Sequence, residues 1–357
     1  MIMPVSTEKN FDKKFSLFRE WLLTQEGFKG ENLVIEPHKS SIASGFSNET
    51  FIFSVKRKDN LKNLVLRLKP SGYQVFPDYN LKLQADIMNV LNKKGLPTPK
   101  VILYESDENI IGSEFYLMNY LEGEAPSDNP PYHIDPEGMM GKANPDERRK
   151  VWTEWLHYLI NLHLLDFKEL GLSELEGKYI DKDPLDMDID YYQNFLKWGM
   201  EDETNELCEN VISWLRSNKP KFFNKFTLCW GDSRPGNILY KNFEATALLD
   251  WEMAVFGDPL ADLAWGFAVD DSSSLGLNVE RLEGSMSAEE AIMEWEDKTK
   301  FSAENYNYYR MLSLLKFSVI MVRVAKKLVF NEIIPLESDF YKNNHISNFL
   351  EKEFNKL

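Results

Sequence analysis

The sequence predicts an α+β fold of two lobes, on the basis of two observations. Segments in which apolar and polar residues alternate, typical of strands, occur mainly before Met118, whereas apolar residues at helical spacing dominate after Gly123. The chain of 357 residues is 43% hydrophobic, which is enough to build two lobes around a sizeable core. We therefore expect residues 1–118 to form a mainly antiparallel sheet with a flanking helix, residues 118–123 a hinge, and residues 124–357 a mainly helical lobe.

The first lobe is predicted to contain two helices and six strands. Apolar residues at helical spacing indicate an amphipathic helix over residues 11–24. A second helix over residues 78–94 should end before Gly95 and Pro97. Strand-like runs occupy residues 33–36, 41–46, 50–55, 63–68, 101–105 and 114–120.

The second lobe is predicted to be helical, apart from a short β region. Apolar spacing indicates helices over residues 146–166, 190–199, 205–217, 259–267, 288–299, 303–328 and 339–354. Three short buried strands are expected at residues 228–230, 238–240 and 247–249. The stretch 128–145 is rich in Pro and Gly and should form a loop beside the crevice between the lobes.

Composition and charge exclude several classes of function. The chain has 41 Lys and Arg against 57 Asp and Glu, a net charge of −16, which argues against nucleic-acid or anionic-membrane partners. Two cysteines, Cys208 and Cys229, indicate neither a disulfide framework nor a zinc site. Residues 1–10 lack the features of a signal peptide, and no apolar run is long enough to cross a bilayer. We expect a cytoplasmic protein, and leave its oligomeric state open.

Residues 228–252 contain the polar set that indicates a chemistry. Asp232 is followed by Asn237 five residues later, and Asp250 comes after a second apolar run. The polar groups lie at the ends of the predicted strands and in the loop between the first two. Mg²⁺ takes oxygen ligands and uses few protein carboxylates when phosphates complete its shell. An isolated Asp or Asn is typical of a turn, whereas Asp232, Asn237 and Asp250 in this order along the chain favour phosphoryl transfer.

The same segment resembles the aminoglycoside phosphotransferase-like family, whose members have a protein-kinase-like fold. It is most similar to the branch that includes kinase-like domains joined to acyl-CoA dehydrogenases. The run 257–265, Gly-Asp-Pro-Leu-Ala-Asp-Leu-Ala-Trp, continues the resemblance, which covers roughly residues 41–268. It implies that Asp232 accepts the proton of the attacking hydroxyl, that Asn237 and Asp250 hold Mg²⁺, and that ATP, or GTP, is the donor.

The resemblance also implies a nucleotide site. A hairpin loop should cover the phosphates, the strand over residues 63–68 should supply a cation for them, and the hinge should meet the adenine. No P-loop motif occurs in the sequence, so a helix-mounted phosphate loop is not expected. The implied residues are Ser44, Gly45, Ser47, Asn48, Arg67, Gln84, Met118, Asn119 and Leu121. Taken alone, the loop would be an ordinary turn and Arg67 a solvent-facing residue of an edge strand.

The chain departs from the resembled pattern at two positions. Gln84 stands where the family has a helix glutamate, and a neutral amide can hydrogen-bond Arg67 without forming an ion pair. Trp230 stands where a histidine usually precedes Gly-Asp, and an indole can donate one hydrogen bond but cannot accept as imidazole does. Asp262 is expected to stabilise the loop around Asp232, and His163 to be structural.

Three classes of function follow. The first is a phosphotransferase that moves the γ-phosphate of ATP or GTP to a small alcohol, with hydroxyacyl groups, aminoglycosides and choline-like amino alcohols as candidate acceptors. The second is a catalytically weak, nucleotide-binding pseudokinase, which the two departures favour and the complete Asp-Asn-Asp set opposes. The third, a hydrolase using Ser233, is disfavoured because Pro235 stands where a nucleophile elbow needs Gly.

Overall fold

The computed structural model describes residues 8–29, 33–42, 48–70, 72–172, 175, 178–179 and 183–357, and it has the predicted α+β fold of two lobes. The first lobe contains a five-stranded antiparallel sheet of order β1-β2-β3-β5-β4. Its elements are α1 (Glu8–Leu22), β1 (Leu33–Ile42), β2 (Glu49–Arg57), β3 (Asn60–Leu68), α2 (Leu81–Lys93), β4 (Val101–Glu105) and β5 (Phe115–Asn119).

Helices α1 and α2 cover opposite faces of this sheet. Alternate residues along β3 face opposite ways, so one set packs against each helix. The buried leucines of β3 pack with Phe18 of α1 in one apolar cluster. Val65 packs instead in the cluster that contains Leu91 of α2 and extends into the second lobe. Arg67 shares the face of Val65, so the strand directs its guanidinium towards the second lobe.

One strand replaces two predicted ones. Residues 33–36 and the start of the predicted strand 41–46 belong to β1, whose register against β2 shifts between Pro37 and Ile42. Such an irregularity inserts residues without ending the ladder, so the interrupted alternation marks a bulge and not a gap between strands. Residues 43–46 lie outside the described part of the chain.

The second lobe is mainly helical. Its elements are α3 (Met139–Lys142), α4 (Pro145–His163), α5 (Pro184–Met200), α6 (Glu206–Ser217), β6 (Thr227–Cys229), β7 (Ile238–Lys241), β8 (Glu244–Leu248), β9 (Val255–Gly257), α7 (Leu260–Ser273), α8 (Ala288–Thr299), α9 (Tyr306–Phe330) and α10 (His345–Phe354). The strands form two antiparallel pairs, β6 with β9 and β7 with β8. Among the described helices, none is long and apolar enough to cross a membrane.

Helix caps explain where the predicted bounds are wrong. Helix α5 begins at Pro184 and not at residue 190, because the Asp183 side chain accepts the first free N–H groups and proline suits the first helical position. Helix α10 begins at His345 and not at residue 339, because Asn344 caps it in the same way. Strand β9 was not predicted: its three residues are only partly buried, whereas the equally short β6 is a buried apolar run.

A guanidinium on α9 joins the second lobe to the first. The Cζ atom of Arg323 lies 4.0 Å from the ring centroids of both Tyr73 and Trp198. Its Nη2 and Nε groups donate to the Gln74 carbonyl at 2.9 and 3.2 Å. Stacking of this kind is worth roughly 2 kcal/mol when desolvated. The segment between β3 and α2 is therefore fastened to α5 and α9.

Candidate active site

The loop of residues 230–237, here called the Asp232 loop, connects β6 to β7. Its backbone is held by Asp262 at the start of α7, whose two carboxylate oxygens accept the N–H groups of Trp230 at 2.6 Å and Gly231 at 2.8 Å. His163 of α4 lies 3.2 Å from the same carboxylate and is buried. Asp262 therefore stabilises the loop as predicted, and His163 supports Asp262.

Trp230 joins the Asp232 loop to the segment that carries Asp250. Its indole N–H donates to the Leu249 carbonyl at 2.8 Å. Its ring stacks on Trp251, with centroids 5.1 Å apart and planes inclined by 19°. The indole thus braces the two segments by donating and stacking, which needs no acceptor atom on the ring.

Gly231 is required by both backbone conformation and space. Its φ is +84°, and a Cβ added there would lie 1.9 Å from the Met253 carbonyl oxygen. We expect Gly231→Ala to lower the free energy of unfolding by at least about 3 kcal/mol, since it combines a left-handed backbone with overpacking. Denaturant titration would measure this loss. Gly257→Ala is the matched control, because its new Cβ would meet only Cys229 Sγ at 3.9 Å, and an equal loss in both variants would contradict the explanation.

The Asp232 carboxylate accepts three hydrogen bonds. Asn237 Nδ2 donates to Oδ2 at 2.7 Å, while Arg234 Nε and Trp265 Nε1 donate to Oδ1 at 2.9 and 2.7 Å. A carboxylate offers about four lone-pair sites. These three bonds fill Oδ1 and leave one site on Oδ2 for a further donor.

Sequence reasoning missed Arg234 and Trp265. Arg234 lies two residues after Asp232 in the same loop, and its Nη1 also donates to Asp128 in the loop that precedes α3. Burial opposes the charge of Arg234, but Asp128 and Asp232 outweigh it, so the pKa of the guanidinium lies above its usual value. Spacing gave no signal for Trp265, which is 33 residues from Asp232.

Asn237 and Asp250 lie on segments joined by the backbone. Asn237 commits its amide nitrogen to Asp232, donating to the backbone carbonyl at 2.9 Å as well as to Oδ2. Its amide oxygen is therefore the atom left for a metal. The Leu249 N–H donates to the Asn237 carbonyl at 2.9 Å, which places Asp250 immediately after a residue bonded to Asn237.

Asp250 has the left-handed backbone conformation, with φ of 62°. For a residue other than glycine this costs roughly 1–3 kcal/mol and is typical of functional sites. Its Oδ1 accepts from Arg67 Nη2 at 2.6 Å, across the crevice between the lobes. The structure thus brings together the predicted phosphate-binding cation and the predicted metal-binding carboxylate.

Arg67 combines burial with an unused donor. Burial disfavours its charge, but Asp250, with Tyr116 and Glu252, raises the pKa of the guanidinium above its usual value. Its Nε is buried and has no hydrogen-bond partner among the described residues. This N–H belongs to a permanently charged guanidinium group, so it can donate a charge-assisted hydrogen bond to a phosphate oxygen.

The other predicted nucleotide residues are distributed as follows. Ser44, Gly45 and Ser47 lie outside the described residues. Asn48 is buried, and its Nδ2 donates to Glu252 Oε2 at 2.7 Å, so the end of the hairpin loop meets the Asp250 segment. Sequence reasoning assigned no role to Glu252.

The remaining four lie on the first lobe or directly after it. Gln84 is buried on α2. The hydrogen bond from Arg67 goes to Asp250, and none joins Gln84 to Arg67 within the described ranges. Met118 is buried in β5, where it pairs with Val65 of β3. Asn119 ends β5, and Leu121 follows two residues later.

The protein ligands fit a magnesium ion that is completed by phosphate oxygens. Within the described residues, no group of three or more His, Cys, Asp or Glu side chains could hold a metal. Asp250 and Asn237 offer one carboxylate and one amide oxygen, which is the small, hard-oxygen set that Mg²⁺ uses beside phosphates. A zinc or calcium site built of protein groups alone would need more ligands.

The chain is similar to known proteins of one enzyme family. The model of the phosphotransferase enzyme family matches residues 40–295. Acyl-CoA dehydrogenase family member 10 of Mus musculus is 27% identical over an alignment of 305 positions that covers 79% of this chain and 26% of that protein. The chain thus spans about a quarter of the length of the curated relatives it matches.

Solved structures share the fold at low identity. A Ralstonia eutropha protein described as an aminoglycoside phosphotransferase has a TM-score of 0.67 at 19% identity, over 96% of this chain and 98% of that one. An aminoglycoside phosphotransferase in a ternary complex with AMP-PNP and hygromycin B has a TM-score of 0.55 at 13% identity, over 95% and 96% of the two chains. These likenesses show the fold alone. The family match covers well over half of the sequence, and the chain therefore belongs to the phosphotransferase enzyme family.

Proposed function

We propose that this phosphotransferase moves the γ-phosphoryl group of ATP to the hydroxyl group of a small molecule. The single observation that carries the proposal is the position of Asp232: among the described residues its Oδ2 accepts from Asn237 alone, and the Asn237 carbonyl accepts the N–H of Leu249, next to Asp250. A hydroxyl group that donates its hydrogen to Oδ2 keeps its oxygen lone pairs directed away from the carboxylate. The base and the metal-binding groups therefore lie on connected segments.

The proposed reaction balances as follows. The acceptor O–H bond breaks, its proton passes to Asp232 Oδ2, and the oxygen forms the new bond to Pγ. The bond from Pγ to the bridging oxygen breaks, and ADP leaves with that electron pair. Asn237 and Asp250 would hold Mg²⁺, which supplies charge neutralisation at the β- and γ-phosphate oxygens when bound. Arg67 adds a fixed positive charge from the first lobe, and preorganised charge of this kind is usually the largest catalytic contribution.

The remaining nucleotide assignments belong to the same proposal. We place the hinge at residues 118–123, with Met118 behind the adenine ring and the Asn119 carbonyl and Leu121 N–H at its edge. Ser44, Gly45, Ser47 and Asn48 would cover the phosphates, with Arg67 and Gln84 beneath them. The contact between Asn48 and Glu252 supports this placement, because it brings the end of the hairpin loop to the Asp250 segment. GTP remains the alternative donor.

A hydroxyacyl group is the acceptor we favour. The support is the match to proteins named as members of the acyl-CoA dehydrogenase family, of which this chain spans about a quarter. A cationic amino alcohol or aminoglycoside is the second candidate. Its support is the acidity of the chain, whose net charge is −16.

The test is a search for nucleotide-dependent phosphorylation across both acceptor classes. Purified protein with MgATP or MgGTP is incubated with hydroxy acids, hydroxyacyl-CoA thioesters, amino alcohols and aminoglycosides, and phosphorus NMR identifies any phosphate ester. We expect an ester with one class, absent in the Asp232→Asn variant. Nucleotide binding without an ester in any class would favour the pseudokinase alternative.

A further inference from the structure

The three donors to Asp232 differ in what holds them. Arg234 and Asn237 belong to the Asp232 loop itself, and Asp128, the outside partner of Arg234, lies on another loop. Trp265 lies on α7, is 3% exposed, and donates from outside the loop. Of these three contacts, only the indole therefore ties the carboxylate to the helical core of the second lobe.

Helix α7 contacts both the backbone and the side chain of the same loop. Asp262 and Trp265 are three residues apart, so they lie on one face of the helix. Asp262 accepts the N–H groups of Trp230 and Gly231, just before Asp232. Trp265 donates to the Asp232 carboxylate one turn further along. One rigid helix face thus fixes both where Asp232 sits and how its carboxylate is rotated.

The indole is itself held by neighbouring helices. Its ring lies 5.9 Å from that of Phe317, and the Lys316 ammonium is 5.8 Å from its centroid, both on α9. Lys316 is in turn paired with Asp188 of α5 at 3.2 Å and lies 4.9 Å from the Tyr192 ring. The position of the donor is thus determined by three helices, which limits the freedom of its N–H.

We propose that Trp265 is a positioning residue: its hydrogen bond occupies Oδ1 of Asp232 and so reserves Oδ2 as the proton-accepting atom, facing the acceptor hydroxyl. This inference rests on the proposed phosphotransfer. Without the indole, the carboxylate keeps its hydrogen bonds from Arg234 and Asn237 but loses the one from α7, so its rotation is less restricted. Fewer complexes then present the free site of Oδ2 to the hydroxyl, whereas nucleotide binding does not depend on this rotation.

Trp265→Phe removes the donor and keeps an aromatic ring. We expect kcat to fall about 10- to 100-fold, the range for losing a hydrogen bond to a charged group, with KM for ATP within about threefold of wild type. In an Asp232→Asn background the same substitution should change the residual single-turnover rate by less than about twofold, because residues that act as a unit are not additive. Additive losses in the two backgrounds would overturn the proposal.

Trp152→Phe is the matched control. Trp152 is another fully buried indole, on α4, and its Nε1 has no hydrogen-bond partner among the described residues. It should lose comparable packing and leave kcat within about twofold of wild type. If Trp152→Phe lowers kcat as much as Trp265→Phe does, general loosening of the core explains the effect and the proposal fails.

A spectroscopic test needs neither turnover nor a Trp265 variant. In protein labelled with ¹⁵N at the indoles of its nine tryptophans, Asp232→Asn replaces the carboxylate partner of one indole N–H by a neutral amide. We expect one indole resonance to move upfield more than the others. A spectrum in which no indole resonance moves would overturn the proposal, even if no acceptor has been found, whereas a shifted resonance with no product in any assay would count against the proposed function alone.

Discussion

Asp232→Asn is expected to lower kcat by about 10²–10⁴-fold, the usual contribution of general-base catalysis, or roughly 3–5 kcal/mol of transition-state stabilisation. The variant keeps a carbonyl oxygen for the Arg234 and Trp265 donors at Oδ1 but loses the proton-accepting site on Oδ2. MgATP affinity should stay close to that of wild type, because Asn237 and Asp250 are the proposed ligands. Steady-state kinetics with the identified acceptor and calorimetric MgATP titration would measure both quantities.

The control for this prediction is Asp190→Asn. Asp190 makes the same type of side-chain contact, with Arg216, but at the surface of the second lobe. It should leave kcat and MgATP affinity unchanged. Turnover of Asp232→Asn within about threefold of wild type would remove Asp232 from the role of base. If MgATP binding collapses together with turnover, Asp232 serves in metal binding or folding instead.

Asp250→Asn is expected to abolish the Mg²⁺-dependent part of nucleotide binding and to reduce turnover more than about 10³-fold, since a bound metal supplies several kcal/mol of charge stabilisation. The variant removes the proposed principal ligand and also the partner of Arg67. Loss of one member of a partly buried pair is destabilising, so thermal unfolding should be recorded for the same sample.

Nucleotide binding in the presence of EDTA separates these two effects. Wild type and Asp250→Asn should differ strongly in Mg²⁺ and little in EDTA. A variant that responds to Mg²⁺ as wild type does would show that Asp250 is not the metal ligand. A variant that binds nucleotide poorly under both conditions would show that pairing with Arg67, and not metal binding, is the main role of this carboxylate.

Local sequence patterns predicted most of the elements that frame the site, strand β9 excepted. Alternation along β3 placed Val65 and Arg67 on one face, and the structure directs that face towards the second lobe. The interval between Asp232 and Asn237 is short enough for a tight turn, and their side chains do meet. By contrast, Trp265 donates to Asp232 only because α7 packs against the loop. A tertiary contact of this kind leaves no periodic pattern in the amino-acid sequence from which it could be predicted.

The partner of Arg67 shows why resemblance alone could not settle the pairing. The resemblance pointed to Gln84 on α2, which is buried, but the guanidinium bonds to Asp250. A carboxylate can neutralise a buried positive charge and a neutral amide cannot. With a glutamine on α2, the charge of Asp250 makes it the stronger partner of Arg67.

The stacked pair of Trp230 and Trp251 contributes an optical signal from the site, beside that of the more distant pair Trp152 and Trp155 on α4. Two indoles with centroids 5.1 Å apart and nearly parallel planes couple their excited states, which produces a paired band in circular dichroism whose shape depends on their mutual angle. One indole belongs to the loop of Asp232 and the other directly follows Asp250. Any change in the angle between those two segments, as nucleotide or acceptor binds, should therefore be visible in the ultraviolet spectrum of the unlabelled protein.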